Sequence, residues 1–488
     1  MRGWSNINFK MIIKFVGILL MMLSIFMVSS AYWSYVNTEV ASFKSILISS
    51  AITFSFGLLL FFVGIKHDHR KIGKREGYII VSLTWISISA FGALPFFISG
   101  FIPSYTDAFF ETMSGFSTTG SSILQDVEVA PKGLLFWRSM TQWLGGMGII
   151  VFTLAILPIL GVGGMQLFIA EAPGTTPTRL HPKIADTAKR LWGIYIAFTL
   201  LQTSLMMLGG LDFFESINHA FTTMSTGGFS TKNDSIAAFS PYIQYVIIFF
   251  MILGGTSFTL NYFLLKGRIN KVLENEEFKF YIFVLMAFSL AITTFLVFGS
   301  HLGVEKAFRD SLFQVVSIVT TTGFVTSDYL SWAGSLWFLI FILMFSGGCI
   351  GSTAGGIKMI RHLVLAKNMR LEFKRLIHPM AVLPIRVSGK VIPQPIINNF
   401  LAFVIIYITC IAMGSGIMTF FGLDFETAIG ATIASIGNIG PGIGSVGPVG
   451  NYAHIPDGGK WVLSFLMLAG RLELFTVFLL LSPSFYKK

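Results

Sequence analysis

DAFFETMSGFSTTG (residues 107–120), ESINHAFTTMSTGG (215–228), DSLFQVVSIVTTTG (310–323) and TAIGATIASIGNIG (427–440) are four stretches of one pattern. Each is an apolar, helix-like segment that runs into a turn containing glycine. Their last glycines lie 108, 95 and 117 residues apart, and long apolar stretches flank every turn. The spacing predicts four repeats, each made of a span, a half-length segment and a second span. A single-chain cation pore requires a fourfold repeat of this kind.

The composition excludes a soluble protein. Of 488 residues, 54% are hydrophobic and only 12% are charged. Many stretches exceed the ~20 apolar residues that a helix needs to cross a hydrocarbon core of ~30 Å. Ten spans are predicted, near residues 11–31, 45–65, 77–100, 134–160, 191–211, 242–265, 278–299, 336–360, 396–421 and 461–481. The first is expected to be a retained transmembrane helix, because its apolar core is too long for a typical signal peptide.

The predicted fold is an all-α polytopic membrane protein with four parallel span–pore-helix–span repeats around a pseudo-fourfold pore, plus two N-terminal spans. The expected division of the chain is 1–72 for the two pre-repeat helices, then 73–165, 166–275, 276–390 and 391–488 for pore repeats 1 to 4. Because each repeat holds an even number of full spans, every repeat begins on the same side of the membrane. This count disfavours inverted-repeat transporters.

The charge distribution predicts the orientation. The net charge is +11, and the basic residues fall in short loops between spans rather than on a nucleic-acid-binding domain. Cytoplasmic loops are biased in this way, so the loops near 66–76, 179–190, 266–279 and 358–390, with Lys487 and Lys488, are placed inside. The linkers that hold the four turns are neutral or acidic, which places the turns outside.

Acidic residues stand at or near the start of each half-length segment, at Asp107, Glu215 and Asp310, with Asp424 and Glu426 before the fourth. A carboxylate at a helix N-terminus favours the helix and complements its dipole. The negative C-terminal end then points toward the axis, where it stabilises a cation. The same acids are expected to concentrate cations at the mouth.

The turns are the predicted potassium filter. Non-helical backbone persists at membrane depth only where protein or a water-filled cavity surrounds it. Glycine lets successive carbonyls point the same way, and a ring of carbonyls replaces the hydration shell of K⁺. The alternative is that each Thr/Gly pair only packs helices, but four matching positions favour the filter. The predicted filter residues are Thr118, Thr119, Gly120, Thr226, Gly227, Gly228, Thr321, Thr322, Gly323, Asn438, Ile439 and Gly440.

The fourth turn differs from the other three. Asn438 stands where the others have threonine, and Pro441 directly follows Gly440, which predicts a stiffer and chemically different wall. Only one glycine in each repeat clearly fits a filter. Fewer well-formed ion sites are therefore expected than in a tetrameric K⁺ channel.

Two features below the turns are candidate gates. A glycine-rich run inside the third repeat's second span should break the helix, and its gate residues are Gly347, Gly348, Gly351, Gly355 and Gly356. Close packing of helices through small residues is the alternative. Arg471 lies ~15 Å into the last span, where a charge is costly and faces a cavity or a partner. Either it pairs with a carboxylate elsewhere, or it forms an electrostatic barrier under the filter.

The sequence resembles the membrane subunits of the Trk/Ktr/HKT superfamily of potassium transporters. TMSGFSTTG (112–120), TQWLGGMGI (141–149), TTTGF (320–324) and GNIGPGIG (437–444) are similar to that family, and the two extra N-terminal spans indicate its TrkH branch rather than the shorter KtrB. The resemblance covers essentially the whole chain. It implies a bacterial inner-membrane homodimer with one pore per protomer and a cytosolic, nucleotide-binding TrkA-type partner. The family also places a gating loop and an arginine at the two candidate gates.

Other functions fit less well. An ion-coupled secondary transporter (a K⁺/H⁺ or K⁺/Na⁺ symporter) and a less selective monovalent cation transporter stay open as alternatives. A membrane enzyme would need clustered catalytic residues, and an anion channel would need basic rings. No nucleotide-binding motif is present, so K⁺ is expected as the transported ion without an organic cofactor. The basic run from Lys358 to Arg375 is the predicted docking or lipid-facing surface.

Overall fold

The computed structural model describes residues 7–65, 74–148, 184–332 and 336–486, and the regular secondary structure of these residues is almost entirely helical. In this part of the chain six helices are long and apolar enough to cross a membrane. Two bent pairs of shorter helices pass the same test together, with 113° and 118° between their members. The chain is therefore an all-α polytopic membrane protein, as the sequence predicts.

Two long helices precede the repeats: α1 (Phe9–Val36) and α2 (Val40–Val63). They pack along each other with very close backbones, since a Cβ built on Gly17 would lie closer than 3.0 Å to the Gly57 carbonyl oxygen. Small residues permit this approach in membranes. Near their connection, the Ser34 hydroxyl donates to Ser42 Oγ at 2.9 Å.

The four repeats follow one plan, in which a long helix is followed by a short helix, a turn and a second span. The second span is interrupted in repeats 2, 3 and 4, and in repeat 1 it is described only to residue 148. The first repeat contains α3 (Lys74–Gly92), α4 (Leu94–Ile98), α5 (Tyr105–Phe116), α6 (Lys132–Trp143) and a π-helical turn (Leu144–Gly148). The second contains α7 (Ile184–Leu208), α8 (Phe213–Met224), α9 (Pro241–Gly255), α10 (Phe258–Leu265) and the connecting α11 (Ile269–Leu273).

The third repeat contains α12 (Glu276–Ser300), α13 (Val304–Val319), a 3₁₀ turn (Tyr329–Ser331), α14 (Leu336–Leu343) and α15 (Met359–Ile377). A two-stranded antiparallel hairpin, β1 (Arg386–Val387) and β2 (Lys390–Val391), leads into the fourth repeat. That repeat contains α16 (Gln394–Phe420), α17 (Phe425–Gly437), a 3₁₀ turn (Gly444–Val446), α18 (Asp457–Arg471), α19 (Phe475–Leu481) and α20 (Pro483–Tyr486).

The short helices α5, α8, α13 and α17 have 12, 12, 16 and 13 residues, so they are ~18–24 Å long and cannot cross a ~30 Å core. We call them the half-span helices. Ser104, Asp212 and Asp424 cap three of them by accepting a hydrogen bond from a backbone N–H of the first turn. Asp107, Glu215 and Glu426 lie within first turns.

One predicted helix start is wrong. The third half-span helix begins at Val304, so Asp310 lies inside it and is buried rather than standing at its N-terminus. Glu305 is the acidic residue of that first turn. The repeat alignment set the start too late because α13 is longer than the other three.

Two predicted second spans are not continuous. The stretch 242–265 divides into α9 and α10, and the stretch 461–481 divides into α18 and α19. The carbonyls freed at the first break have partners: Asn261 Nδ2 donates to Leu253 O at 2.9 Å, and the Cys349 N–H donates to Gly255 O at 2.8 Å. Irregular backbone is stable at membrane depth when protein groups bond it in this way.

In the third repeat, the predicted span 336–360 is helical only to Leu343 before a loop begins, which is the break that the glycine run predicts. Parts of other predicted features lie outside the described residues. These are the basic loop at 66–73, the end of the span 134–160, residue 149 of the TQWLGGMGI motif, residues 179–183, Lys487 and Lys488.

Candidate functional site

All four half-span helices end in the same way. The amide of the turn's middle residue donates to the carbonyl five residues earlier, at 2.8–2.9 Å in every repeat. The pairs are Thr119 with Ser114, Gly227 with Thr222, Thr322 with Ser317, and Ile439 with Ala434. With the bond from the preceding amide, this is a Schellman ending, which satisfies carbonyls left free at a helix C-terminus. Each turn therefore starts from an identical backbone frame.

The first residue of each turn has a left-handed backbone. Thr118, Thr226, Thr321 and Asn438 have φ of 55°, 55°, 56° and 53°. Glycine or asparagine usually takes this position, whereas a β-branched residue there is strained. The three threonines therefore carry strain that Asn438 avoids. Strained backbone of this kind clusters at functional sites.

The last residue of each turn is a glycine with positive φ: Gly120, Gly228, Gly323 and Gly440, at 85°, 80°, 77° and 97°. A Cβ built on each would lie closer than 3.0 Å to a carbonyl oxygen of a neighbouring turn, a distance that real Cβ atoms essentially never show. The pairs are Gly120 with Gly227 O, Gly228 with Thr322 O, Gly323 with Ile439 O, and Gly440 with Thr119 O.

These contacts form a closed cycle, because repeat 1 meets 2, 2 meets 3, 3 meets 4, and 4 returns to 1. We call this arrangement the glycine ring. It brings all twelve turn residues predicted from the sequence to one place, around one axis. Glycine is required at the four ring positions both by positive φ and by the close approach of the next turn.

The fourth turn is held by additional hydrogen bonds. Asn438 Nδ2 donates to Thr119 Oγ1 at 3.0 Å and to Met467 O at 2.9 Å. The Gly440 carbonyl accepts from the hydroxyls of Tyr452 (2.7 Å) and Ser121 (3.2 Å). Asn438 therefore ties the fourth turn to the first turn and to α18. Its chemical difference from threonine serves this link.

The glycine-rich run (residues 346–356, here the inner loop) lies against the beginnings of the turns. The Gly355 N–H donates to Thr321 Oγ1 at 2.7 Å, and Thr353 Oγ1 donates to Met224 O at 3.1 Å. A Cβ on Gly355 would lie 2.5 Å from Gly437 O. The loop thus touches the turn of repeat 3 and the C-terminal ends of the half-span helices of repeats 2 and 4.

The inner loop is anchored at both ends. A parallel bridge joins Ser346 and Ile357, with the Gly347 N–H donating to Ile357 O at 2.8 Å. The buried carboxylate of Glu277 on α12 accepts from the amides of Ile350 (2.7 Å) and Ile360 (3.2 Å). One side chain therefore fixes backbone within the inner loop and at the start of α15. Glu277 gave no sequence signal, because its partners are backbone amides about eighty residues away.

Arg471 lies at the end of α18 and contacts the inner loop. Its Nη1 donates to Thr353 O at 2.7 Å, and its Nη2 donates to Gly145 O at 2.7 Å and also to Gly146 O. The guanidinium thus joins the inner loop of repeat 3 to the π-helical turn of repeat 1. The two predicted gate features are in direct contact.

The acidic residue that follows this arginine has a different partner. Glu473 forms an ion pair with Arg361 on α15, whose guanidinium also lies 3.8 Å from the centre of the Phe403 ring. Lys358 and Arg361 are both buried. The predicted basic surface therefore begins farther along α15, where residues such as Arg370 are exposed.

Two of the acids in the first turns of the half-span helices are partly neutralised. Lys460 donates to Asp107, and Lys232 lies 3.3 Å from Glu215. In the following linker, a hydrogen bond from Asn233 holds the pKa of Asp126 below its usual range, with a further backbone bond from Glu128. Because a lysine offsets each carboxylate, Asp107 and Glu215 attract cations less strongly than the sequence predicts. The sequence did not predict these lysine partners.

Comparisons with known proteins give one consistent result. The sequence profile of a family described as TrkH, cation transport protein, matches residues 42–486. The chain is 38% identical to the Trk system potassium uptake protein TrkH of Vibrio parahaemolyticus, across 98% of this chain and 100% of that protein. It is also 38% identical to the protein of that name from Escherichia coli K12, across 99% and 100%.

Among solved structures, the crystal structure of the potassium transporter TrkH from Vibrio parahaemolyticus superposes with a TM-score of 0.88. The match has 35% sequence identity and covers 99% of this chain and 100% of that one. The similarity therefore extends over essentially the whole chain.

Proposed function

Because this chain belongs to the TrkH family of cation transport proteins, we propose that it carries potassium ions into the bacterial cell through a pore on the axis of the glycine ring. The closed cycle of four glycine–carbonyl contacts supports this most strongly. The relatives with matching full-length sequences are potassium uptake proteins by name. K⁺ is then the cargo, and the proposal includes no enzymatic step and no organic cofactor.

The ring would select ions through its backbone. Carbonyl and threonine oxygens from four turns replace the water around a potassium ion. The half-span helices end at the turns, so their negative dipole ends favour a cation there. In this proposal the twelve turn residues line the filter, and the four repeats follow the boundaries expected from the sequence.

The inner loop and Arg471 would form the gate. Gly355 donates to Thr321 at the start of a turn, and Arg471 binds the same loop through Thr353. A cation leaving the ring on this side meets backbone amides and a guanidinium, both unfavourable neighbours. Conduction then requires the loop, with its five gate glycines, to move aside.

The basic loops support a cytoplasmic position for α15 and an outward-facing ring in the inner membrane. The exposed basic part of α15 is a suitable docking surface for a cytosolic TrkA-type subunit, although anionic lipid would suit it equally. A homodimer with one pore per protomer completes the proposal.

The test is ion flux in liposomes that contain purified protein, with K⁺, Rb⁺ and Na⁺ compared in wild type and in Gly323→Ser. Gly323 has φ of 77° and no room for a Cβ. We expect the variant to lose its preference for K⁺ over Na⁺, because a side chain must displace the Ile439 carbonyl.

Gly416→Ser is the matched control, because a Cβ there meets nothing within 4 Å. Unchanged K⁺ flux and selectivity in Gly323→Ser would remove this residue from the filter. Equal K⁺ and Na⁺ fluxes in wild type would favour a less selective cation transporter. Flux that needs a proton or Na⁺ gradient would favour a symporter.

A further inference from the structure

A buried ion pair between Glu111 and Arg138 contacts the segments that follow the ring residues Gly120 and Gly228. Glu111 on α5 and Arg138 on α6 have side chains only 1% and 5% exposed, and Arg138 Nε donates to Glu111 Oε1 at 2.7 Å. The carboxylate also accepts from Ser122 Oγ (3.0 Å) and from the Ile123 amide (2.9 Å). Glu111 thereby holds the segment that follows Gly120.

Arg138 extends this link to the second repeat. Its Nη1 donates to Ser230 O at 3.0 Å, and its guanidinium lies 3.5 Å from the centre of the Phe229 ring. Phe229 and Ser230 directly follow the ring residue Gly228. The pair therefore connects the chain just after one ring glycine to the chain just after the next.

A second side chain on the same face of α6 reaches the same turn. Gln142 lies four residues after Arg138, so the two are neighbours on the helix surface. Its Nε2 donates to Gly227 O at 2.6 Å, and its Oε1 accepts from the Phe229 amide at 3.0 Å. Gly227 is the one middle residue without a side chain, and Gln142 fills the space where its Cβ would be. Helix α6 thus holds the second turn over the four residues 227–230.

The position of Glu111 recurs in the other repeats. Nine residues before the ring glycine stand Glu111, His219, Gln314 and Ala431. His219 Nε2 lies 3.0 Å from Ser230 Oγ, and Gln314 Nε2 donates to Ser327 O at 3.1 Å. In three repeats this side chain braces the segment after the ring, and in the fourth the backbone of Gly430 packs directly against Ile443. Only the first repeat uses a full charge.

The charge does not act by attracting cations. Glu111 and Arg138 compensate each other, and neither is exposed. What the pair supplies is fixed geometry at the interface where Gly120 meets the Gly227 carbonyl. Discrimination between K⁺ and Na⁺ depends on how carbonyl oxygens are arranged, whether through cavity size or through the number of dipoles.

We propose that Glu111 and Arg138 are a positioning pair, which holds the first two turns against each other and thereby sets the preference of the ring for potassium over sodium. This inference rests on the proposed function. Glu111 acts through the Ser122 hydroxyl and the Ile123 amide, and Arg138 acts through the Ser230 carbonyl. Neither side chain touches the ion.

The test measures the K⁺/Na⁺ flux ratio in liposomes for Glu111→Gln. Glutamine keeps the shape and an acceptor for the Ile123 amide, but it leaves Arg138 without its counter-charge. We expect the K⁺/Na⁺ flux ratio to fall by about tenfold. The free energy that corresponds to a tenfold change is only part of the destabilisation that breaking a buried ion pair causes. The ratio is independent of how much protein folds, so a purely stabilising role would lower the yield and leave the ratio at its wild-type value. That outcome would overturn the inference.

The double variant Glu111→Gln/Arg138→Met covers the case in which the single variant does not fold, because it leaves no unpaired buried charge. Its ratio is also expected to fall, since the link to Ser230 is lost, and a wild-type ratio would contradict the proposal. Glu305→Gln is the matched control: it removes a carboxylate from an ion pair with Arg309 on another half-span helix, at an exposed site. If wild-type protein passes no K⁺, the proposed function itself fails, whereas a selective wild type with unchanged variants rejects only the positioning pair.

Discussion

At the scale of single residues, the four turn-initiating positions show what the geometry of the proposed filter demands. Thr118, Thr226 and Thr321 take a left-handed conformation that costs an L-residue roughly 1–2 kcal/mol. Thr321 has a visible use for its hydroxyl, which accepts the Gly355 amide. Asn438 takes the same conformation with less strain and uses its amide to join two turns.

Replacing Asn438 with alanine should lower the free energy of unfolding by about 1–3 kcal/mol. The substitution removes the hydrogen bond to Met467 O. It also places in the left-handed region an alanine, whose side chain cannot form the local hydrogen bonds that let asparagine adopt this conformation. A lower thermal unfolding temperature of purified protein in detergent would register this. Asn399→Ala is the control, since Asn399 is exposed on the neighbouring α16. Equal unfolding temperatures for the two variants would show that the Asn438 link carries no stability.

The ring glycines could be predicted from the sequence because a glycine recurs at the same position of all four repeats. The roles of Asn438 and Glu111 could not. The sequence pattern marks Asn438 as the exception, whereas its backbone matches the three threonines. Glu111 forms bonds to Arg138 and Ser122 that no local spacing reveals, since hydrogen-bond partners across helices depend on tertiary packing.

At the scale of elements, the interrupted second spans are the main difference from the sequence prediction. Apolar content indicated spans at 242–265 and 461–481, but hydropathy does not report a bend. At the first bend, freed carbonyls of Gly254 and Gly255 receive amides from the inner loop. The amides that bond these two carbonyls lie nearly one hundred residues away in the chain, so local sequence cannot show where the helix must break.

Removing Arg471 or the inner loop should raise K⁺ conductance. In Arg471→Ala the loop loses the bond at Thr353 O and the barrier loses its charge. Deleting residues 347–355 removes the loop itself, and the bridge between Ser346 and Ile357 shows that the new ends already lie side by side. The measurement is K⁺ flux per protein in liposomes.

Arg268→Ala controls for loss of a positive charge, because Arg268 is exposed in a loop. Should both gate variants conduct no faster than wild type while remaining folded, the loop and Arg471 are not the gate.

At the scale of the whole molecule, an even number of spans in each repeat predicted that the four turns would face one side and converge. The structure brings them together as a closed cycle in chain order, 1 to 2 to 3 to 4. The sequence could not give this order or the contacts between turns, because the pairs are formed between residues about one hundred or more positions apart. The arrangement of the four turns depends on how all the helices pack together, and no short stretch of sequence determines that packing.

The central claim is that all four ring glycines surround a single potassium-selective pore. The most direct measurement is the K⁺/Na⁺ flux ratio of purified protein in liposomes for four separate variants, Gly120→Ser, Gly228→Ser, Gly323→Ser and Gly440→Ser. Each glycine has positive φ and a neighbouring carbonyl where its Cβ would be, so each variant is predicted to lose selectivity. A folded variant of any one of the four that retains the wild-type ratio would contradict a single ring built from all four repeats.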